Sequence, residues 1–485
     1  MLNFPIVCKA LGLLLYLEAL LFAICFVTGF YFAEANHLTF GIPAIVTLLL
    51  AFVLRAIGRH SDNRLNRRDG FLIVALSWVV FSLIGTLPFL IDGCLSRPTE
   101  ALFETVSGFT TTGATCLTAI DHLPPSILLW RSLTHWIGGL GIVFFTIVLL
   151  PNMGSSDFKL FAAESTGLKV GKLHPRISTS ARWLWSCYAL LTIGCIVAYY
   201  LAGMSFWDAL NHGLSTISTG GFSTHSESIG YFHSPLIQWV ATVFMLLAAT
   251  NFTLLYLLLF KWRFRDVLCD DELGGYIRLY LGSTCIIALI LMVMGGLSAG
   301  DAFSKAFFNV ATLMTTTGFT VDDFMTWHPA TLPFIMCCMF FCGCSGSTSG
   351  GIKCVRLVML VKLIRSEFRQ VLHPHAVIPM RIRHSLITPH MGRTLLVFLT
   401  MAVTLIAGGT TLMVLTGLPM LDAFGLSLSA FCNVGPAPGH VVGAMGSWNV
   451  LTDFQLLLSS FLMLAGRLEV FSLFLPFMPA FWHDK

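Results

Sequence analysis

Apolar residues run unbroken along much of this chain. Leu11 to Phe32 is interrupted only by Glu18, and Phe71 to Ile91, Trp183 to Met204 and Leu395 to Leu418 carry no charge. Each run is long enough to cross a hydrocarbon core of about 30 Å as a helix. Barrel strands would be about 10 residues long with strict alternation, and that pattern is absent. The first run is too long for a signal-peptide core and no small-residue cleavage site follows it, so it reads as a retained span.

A second pattern is polar and repeats on a larger scale. Four shorter segments lie between the long runs: Phe103 to Thr115, Leu210 to Phe222, Phe308 to Thr320 and Gly425 to Ala437. Each ends in glycine preceded by small, mostly polar residues. Aligned without gaps, Gly113, Gly220, Gly318 and Gly435 fall in one column. The unit is about a hundred residues long, and such a period is read before any single motif. Every unit runs long span, short semi-polar segment, glycine strand, long span.

Composition and charge narrow the class. The chain has 485 residues, 56% hydrophobic and 11% charged, with a mean hydropathy of +0.82. Soluble domains are about 45–50% apolar and about 25% charged, so a water-soluble fold is excluded, as are collagenous, disordered and disulfide-scaffold classes. The net charge is only +4, but its distribution is uneven. Linkers Arg55 to Arg68, Lys159 to Arg182, Lys261 to Arg278 and Lys353 to Arg393 hold most of the basic residues. The intervening linkers carry Glu34, Asp121, Glu227, Asp322 and Asp323 against Arg97 and Arg131. The positive-inside rule places the basic linkers and both termini in the cytoplasm. Most of the fourteen cysteines lie in apolar runs as small hydrophobes. Cys342-x-Cys344 lacks a second ligand pair for a metal. Cys94 and Cys116 both fall on the outer side, and their pairing stays open.

The short segments carry the chemistry. About 12 residues of helix span about 18 Å, too little to cross a bilayer. Polar backbone at that depth must line a cavity or be buried in protein. Four such segments therefore predict an all-α polytopic membrane protein, with about ten transmembrane helices and four re-entrant pore helices in pseudo-fourfold symmetry around a central ion pathway. Backbone carbonyls in a ring replace the hydration shell of a monovalent cation, and glycine permits the angles that turn them inward. Helix carboxyl ends aimed at the cavity also favour a cation. The expected ion-binding residues are Thr111, Thr112 and Gly113; Ser218, Thr219 and Gly220; Thr316, Thr317 and Gly318; and Asn433, Val434 and Gly435. The carbonyls of Thr111, Thr112, Ser218, Thr219, Thr316, Thr317, Asn433 and Val434 are the expected ligands.

One span is interrupted. Between Thr331 to Phe341 and Ile352 to Ile364 lies a run of small and polar residues, 343–351. Gly343, Ser345, Gly346, Ser347, Thr348, Ser349, Gly350 and Gly351 make a poor helix in lipid, and broken helices line cavities. They form an expected gate loop, with Arg467 of the last span facing the pathway and raising the barrier to cations. Glu104 shares a column with Asn211 and Asn309 and is expected to hydrogen-bond behind the ring. Glu18 reads as structural, Lys305 as interfacial, and His135 and His440 as structural histidines. A remote alternative is an intramembrane serine protease using Ser345 of Gly343-Cys344-Ser345-Gly346 with His440 or His135; it leaves the four repeats unexplained, and no enzyme activity is expected.

These residues resemble a known family. Leu102-FETVSGFTTTGA-Thr115, Leu133-THWIGGLG-Ile142, Asn211-HGLSTISTGGF-Ser223, Asn251-FTLLY-Leu257, Gly343-CSGSTSGGI-Lys353, Asn433-VGPA-Pro438 and Gly466-RLEV-Phe471 are similar to the membrane subunits of Trk-type potassium uptake systems, in the Trk/Ktr/HKT superfamily. The resemblance implies a two-helix N-terminal unit over 1–68 and span–pore helix–span repeats over 69–181, 182–277, 278–392 and 393–485. It implies a homodimer in the bacterial inner membrane, K+ as the transported ion, and a cytoplasmic nucleotide-binding regulatory subunit of the TrkA type. It also makes 343–351 an intramembrane loop beneath the filter. Lys353 to Arg393 has the charge to dock an acidic regulatory face or anionic lipid; no nucleic acid or bound cofactor is expected. Potassium-channel filters carry a longer Thr-Val-Gly-Tyr-Gly run, whereas here the matched glycines are followed by Ala114, Gly221, Phe319 and Pro436. The expected preference for potassium is correspondingly weaker. A proton- or sodium-coupled symporter and a sodium-permeable relative stay open as alternatives, although glycine in all four columns favours potassium.

Overall fold

The computed structural model describes residues 2–61, 66–141, 177–375, 381–382, 385–386 and 389–482. Much of the basic linker at 159–182, and parts of those at 55–68 and 353–393, lie outside the described residues. The chain is mostly helical. Six described helices are long and apolar enough to cross a membrane: Phe4–Tyr31, Leu38–Ile57, Arg68–Asp92, Arg182–Leu201, Asp271–Val293 and His390–Leu415. Two further pairs pass the same test but bend sharply. Pro235–Ala248 and Phe252–Lys261 meet at 102°, Asp453–Arg467 and Phe471–Phe477 at 113°.

Four shorter helices alternate with these: Pro98–Phe109, Phe206–Ile217, Ala299–Met314 and Met420–Cys432. Their starts are written locally. Ser205 and Ser298 accept the backbone N–H groups of Asp208 and Asp301 as N-caps, and Pro98 occupies the first turn of its helix, where no N–H is needed. Each end turns through a residue at positive φ into an extended strand.

Below those ends the following helix of every repeat stops. Pro125–Leu140 ends at Gly141, Pro235–Ala248 breaks before Asn251, Leu332–Phe340 gives way to a loop that lasts until Cys354, and Asp453–Arg467 breaks before Phe471. The interruption expected in the third repeat thus has counterparts in the second and fourth. Short breaks leave almost no mark on composition, whereas nine small residues do.

Large side chains hold the short helices in place. Trp130 is fully buried, donates Nε1–H to the Gly85 carbonyl (3.3 Å) and packs 6.0 Å from the Phe109 ring. Trp448 packs on Phe103 at 5.2 Å while its backbone N–H donates to the Thr115 carbonyl (2.8 Å), joining the last repeat to the first.

Candidate functional site

The four strands after the short helices close into a ring. An added Cβ on Gly113 would strike the Gly220 carbonyl oxygen, one on Gly221 that of Thr317, one on Gly318 that of Val434, and one on Gly435 that of Thr112. Each strand therefore abuts the next, and the fourth returns to the first. φ is positive at Gly113 (77°), Gly221 (88°), Gly318 (79°) and Gly435 (96°). It is also positive two residues earlier, at Thr111 (56°), Thr219 (54°), Thr316 (58°) and Asn433 (56°). Only glycine combines that backbone with so close an approach.

This geometry corrects the register of the second strand. Gly221, not Gly220, corresponds to Gly113, so Thr219, Gly220 and Gly221 match Thr111, Thr112 and Gly113. Ser218 corresponds to Thr110: both N–H groups still donate four residues back, to Leu214 and Val106. Gly220 is glycine for another reason, because a Cβ there would enter the ring of His135. Gly113, Gly221, Gly318 and Gly435 line one cavity of about 70 Å³ next to the ring.

Polar groups brace the strands from behind. Glu104 and Arg131 form a fully buried pair (3.0 Å). Glu104 accepts the Thr115 hydroxyl (3.0 Å) and the Cys116 N–H (2.9 Å), while Arg131 donates to the Ser223 carbonyl (3.0 Å) and covers the Phe222 ring at 4.0 Å. In the corrected register His212 takes the place of Glu104, and its Nε2 lies 3.0 Å from Ser223 Oγ. Asn211 and Asn309 instead donate to carbonyls of their own helices, Trp207 and Lys305. Thr110 and Thr112 pair through their hydroxyls at 2.8 Å, as Thr315 and Thr317 do at 2.7 Å. Asn433 donates to Thr112 Oγ1 and to the Met463 carbonyl, both at 3.0 Å. Thr111 Oγ1 is buried with no hydrogen-bond partner among the described residues, an oxygen available to a cation.

The loop 343–351 lies against the ring. Gly350 N–H donates to the Thr316 hydroxyl (2.7 Å), and Thr348 Oγ1 donates to the Ile217 carbonyl (3.0 Å). Arg467 donates to the carbonyls of Thr348 (2.8 Å), Gly138 (2.5 Å) and Gly139 (2.9 Å). Lys353 Nζ donates to the Ser349 carbonyl. Ser345 donates both N–H (2.5 Å) and Oγ–H (2.9 Å) to the carboxylate of Glu272. Gly343, Gly346 and Gly351 shape the loop: Cys354 N–H donates to the Gly343 carbonyl (2.9 Å), Phe252 N–H to that of Gly346 (3.0 Å), and Gly351 packs on Cys342. Ser347 Oγ–H reaches the Cys344 carbonyl (2.5 Å).

At the cavity next to the ring, His225 joins two repeats. Its Nδ1 lies 2.9 Å from Asp121 Oδ1, its Nε2 3.4 Å from Asp208 Oδ1, and its ring stacks on Tyr231 at 3.6 Å. Partial burial pulls the imidazole down, but hydrogen bonds and charge from Asp208 and Asp121 outweigh it and hold the pKa above its ordinary value. Burial pushes Asp121 up, yet hydrogen bonds from Ser226 and His225 carry it below the usual carboxylate range. Lys305 pairs with Asp322 (2.6 Å).

The protease constellation does not assemble. Ser345 faces Glu272, His135 Nδ1 faces Ser215 Oγ at 3.1 Å, and His440 is exposed with its backbone N–H on Asp422. Glu18 is fully buried without a hydrogen-bond partner among the described residues. Cys94 and Cys116 are both free thiols. Sequence reasoning missed Arg131 and Glu272 as site residues and read His135 as structural without placing it against Gly220. Only Arg131 left a signal, as an opposite charge near Glu104 in an apolar setting; Glu272 reads as an ordinary first-turn acid.

Known proteins share this architecture. The family model TrkH, described as a cation transport protein, matches residues 36–271 and 283–484. A Trk system potassium uptake protein TrkH of Halomonas elongata is 36% identical over 480 residues, 98% of either chain. A Trk system potassium uptake protein TrkG of Escherichia coli is 34% identical over 481 residues, 98% of this chain and 97% of that one. The crystal structure of the potassium transporter TrkH from Vibrio parahaemolyticus superposes with a TM-score of 0.88 at 32% identity, over 99% of this chain and all of that one.

Proposed function

The chain belongs to the TrkH family of cation transport proteins, and from that premise we propose that it takes up potassium through the four-strand ring. The observation that carries the reading is the closed cycle of glycine-to-carbonyl contacts, with positive φ at matching positions in all four strands. An extended strand points successive carbonyls to opposite sides. Left-handed residues at alternate positions reverse that alternation, so neighbouring oxygens face one axis and replace the ion's water. The ligands are the carbonyls of Thr111 and Thr112, Thr219 and Gly220, Thr316 and Thr317, and Asn433 and Val434; Gly113, Gly221, Gly318 and Gly435 admit them. None of these side chains is charged, so K+ is held by dipoles and released.

In this reading the four short helices are re-entrant. Counting both bent pairs as spans, together with Pro125–Leu140 and the interrupted pair Leu332–Phe340 and Cys354–Leu372, gives the ten expected. The repeats run 69–181, 182–277, 278–392 and 393–485 after a two-helix unit, 1–68. The loop 343–351, held by Arg467, obstructs the pathway beneath the ring. The basic linkers and both termini face the cytoplasm of a bacterial inner membrane, where a homodimer engages a TrkA-type nucleotide-binding subunit that releases the loop.

Rubidium-86 uptake into proteoliposomes tests the ring. Potential-driven uptake is expected for the wild type and its loss for Gly318→Ala, whose Cβ would displace the Val434 carbonyl. Equal uptake by the two proteins would remove the ring from the pathway.

A further inference from the structure

The loop is strung between two opposite charges. Arg467, a cation, takes the carbonyl of Thr348, and Glu272, an anion, takes the N–H and hydroxyl of Ser345. Glu272 lies in the first turn of helix Asp271–Val293, the first long helix of the third repeat. An acid there is favoured by the helix dipole alone, but capping does not require it, because Asp270 already accepts the N–H groups of Glu272 (3.1 Å) and Leu273 (3.0 Å). The Glu272 side chain is 1% exposed and both oxygens bond to one residue of another element, Ser345. The surroundings fix that carboxylate in position. Asp271 beside it pairs with Lys362 (2.7 Å) of helix Cys354–Leu372, and Gly275, one turn on, lets that helix approach closely through its Val358 and Cys354.

We propose that Glu272 is the positioning residue that latches the loop across the pathway, through Ser345. The proposal rests on the reading of 343–351 as a gate. A carboxylate accepts from both the N–H and the hydroxyl of Ser345, and charge-assisted hydrogen bonds are about twice as strong as neutral ones. An amide keeps the shape but loses the charge, so the two charge-assisted bonds become neutral ones even where the Ser345 hydroxyl turns to accept from the amide. Glu272 holds the loop at Ser345, whereas the loop meets the ring segments at Gly350 and Thr348, so releasing the latch acts on the loop and leaves the ion ligands in place.

The test compares rubidium-86 flux, and its competition by sodium, for the full-length protein in proteoliposomes without any partner. Glu272→Gln is expected to raise flux about tenfold or more, a shift of roughly one power of ten per lost charge-assisted interaction, with the potassium-to-sodium discrimination unchanged. Glu272→Asp is expected to restore low flux in part, and Ser345→Ala to raise flux less than Glu272→Gln because the backbone N–H remains. A merely structural residue would instead lose flux and discrimination together. Deleting 343–351 serves as the separate control. High flux on deletion with wild-type flux in both Glu272→Gln and Ser345→Ala overturns the latch and leaves the gate standing. Unchanged flux on deletion overturns the gate and the latch with it. Should Glu272→Gln fail to insert, Ser345→Ala alone decides.

Discussion

Thr111, Thr219 and Thr316 hold positive φ although a β-branched side chain disfavours it, at a cost of roughly 1–3 kcal/mol each. Only the fourth strand uses a residue at ease there, Asn433. Strain of this kind persists where surrounding contacts over-determine it, and here the ring supplies them. Two adjacent glycines then play different parts. Gly221 is glycine for its backbone and for the Thr317 carbonyl, Gly220 for the neighbouring imidazole. Uptake is therefore expected to fall about tenfold or more in both Gly220→Ala and Gly221→Ala, and His135→Ala is expected to rescue Gly220→Ala alone, the non-additivity that residues in contact show. Rescue of both, or of neither, would contradict the assigned register. His225 gives a pH dependence with a definite sign. Its folded pKa is raised above the unfolded value of about 6.5. The contribution of its bridge to Asp121 and Asp208 is complete below that pH and lost as pH rises through the folded value. Asp121 is depressed, so its share is present above about 3.9 and lost only in acid. The melting-temperature gap between wild type and His225→Asn is expected to be open near about pH 6 and closed by about pH 9; a gap that does not change with pH would refute the bridge.

At the level of elements, the short helices were legible because their pattern recurs. Four copies ending in small residues and glycine identify the segments that form the ring. The register of the second copy was not legible, since Gly220-Gly221 offers two choices and only the backbone angle separates them. The breaks below the ring divide in the same way. The third is nine residues of Gly, Ser, Thr and Cys and stands out in composition; those near Asn251 and Leu468 are short. Arg467 shows how such a break is used. Its guanidinium joins the helix end at Gly138 and Gly139 through Nη2 to the loop at Thr348 through Nη1, two reaches that an ammonium would have to make from one nitrogen. Arg467→Ala is expected to raise rubidium flux severalfold, and Arg467→Lys to lie between it and the wild type. Identical flux in all three would show that the guanidinium does not hold the loop.

Across the whole molecule, the site exists only when the first and last repeats meet. Asn433 reaches Thr112, Trp448 reaches Thr115, Arg467 reaches Gly138, and Arg97 pairs with Asp453 at 3.2 Å. No repeat contains its own site; each contributes one strand, and the glycine of one abuts the carbonyl of the next. Charge is scarce around that closure as it is along the apolar spans. Of the charged residues near the ring, Glu104 and Arg131 neutralise each other behind it, and the strand residues themselves are uncharged. In the proposed function selectivity comes from carbonyl dipoles, in a ladder shorter than the Thr-Val-Gly-Tyr-Gly run of potassium channels. The most direct test is the reversal potential of the purified protein in a bilayer with potassium on one side and sodium on the other. A reversal displaced toward the potassium equilibrium potential, and abolished together with current in Gly318→Ala, is the predicted result. A reversal at zero, with potassium and sodium carried equally, would contradict the account.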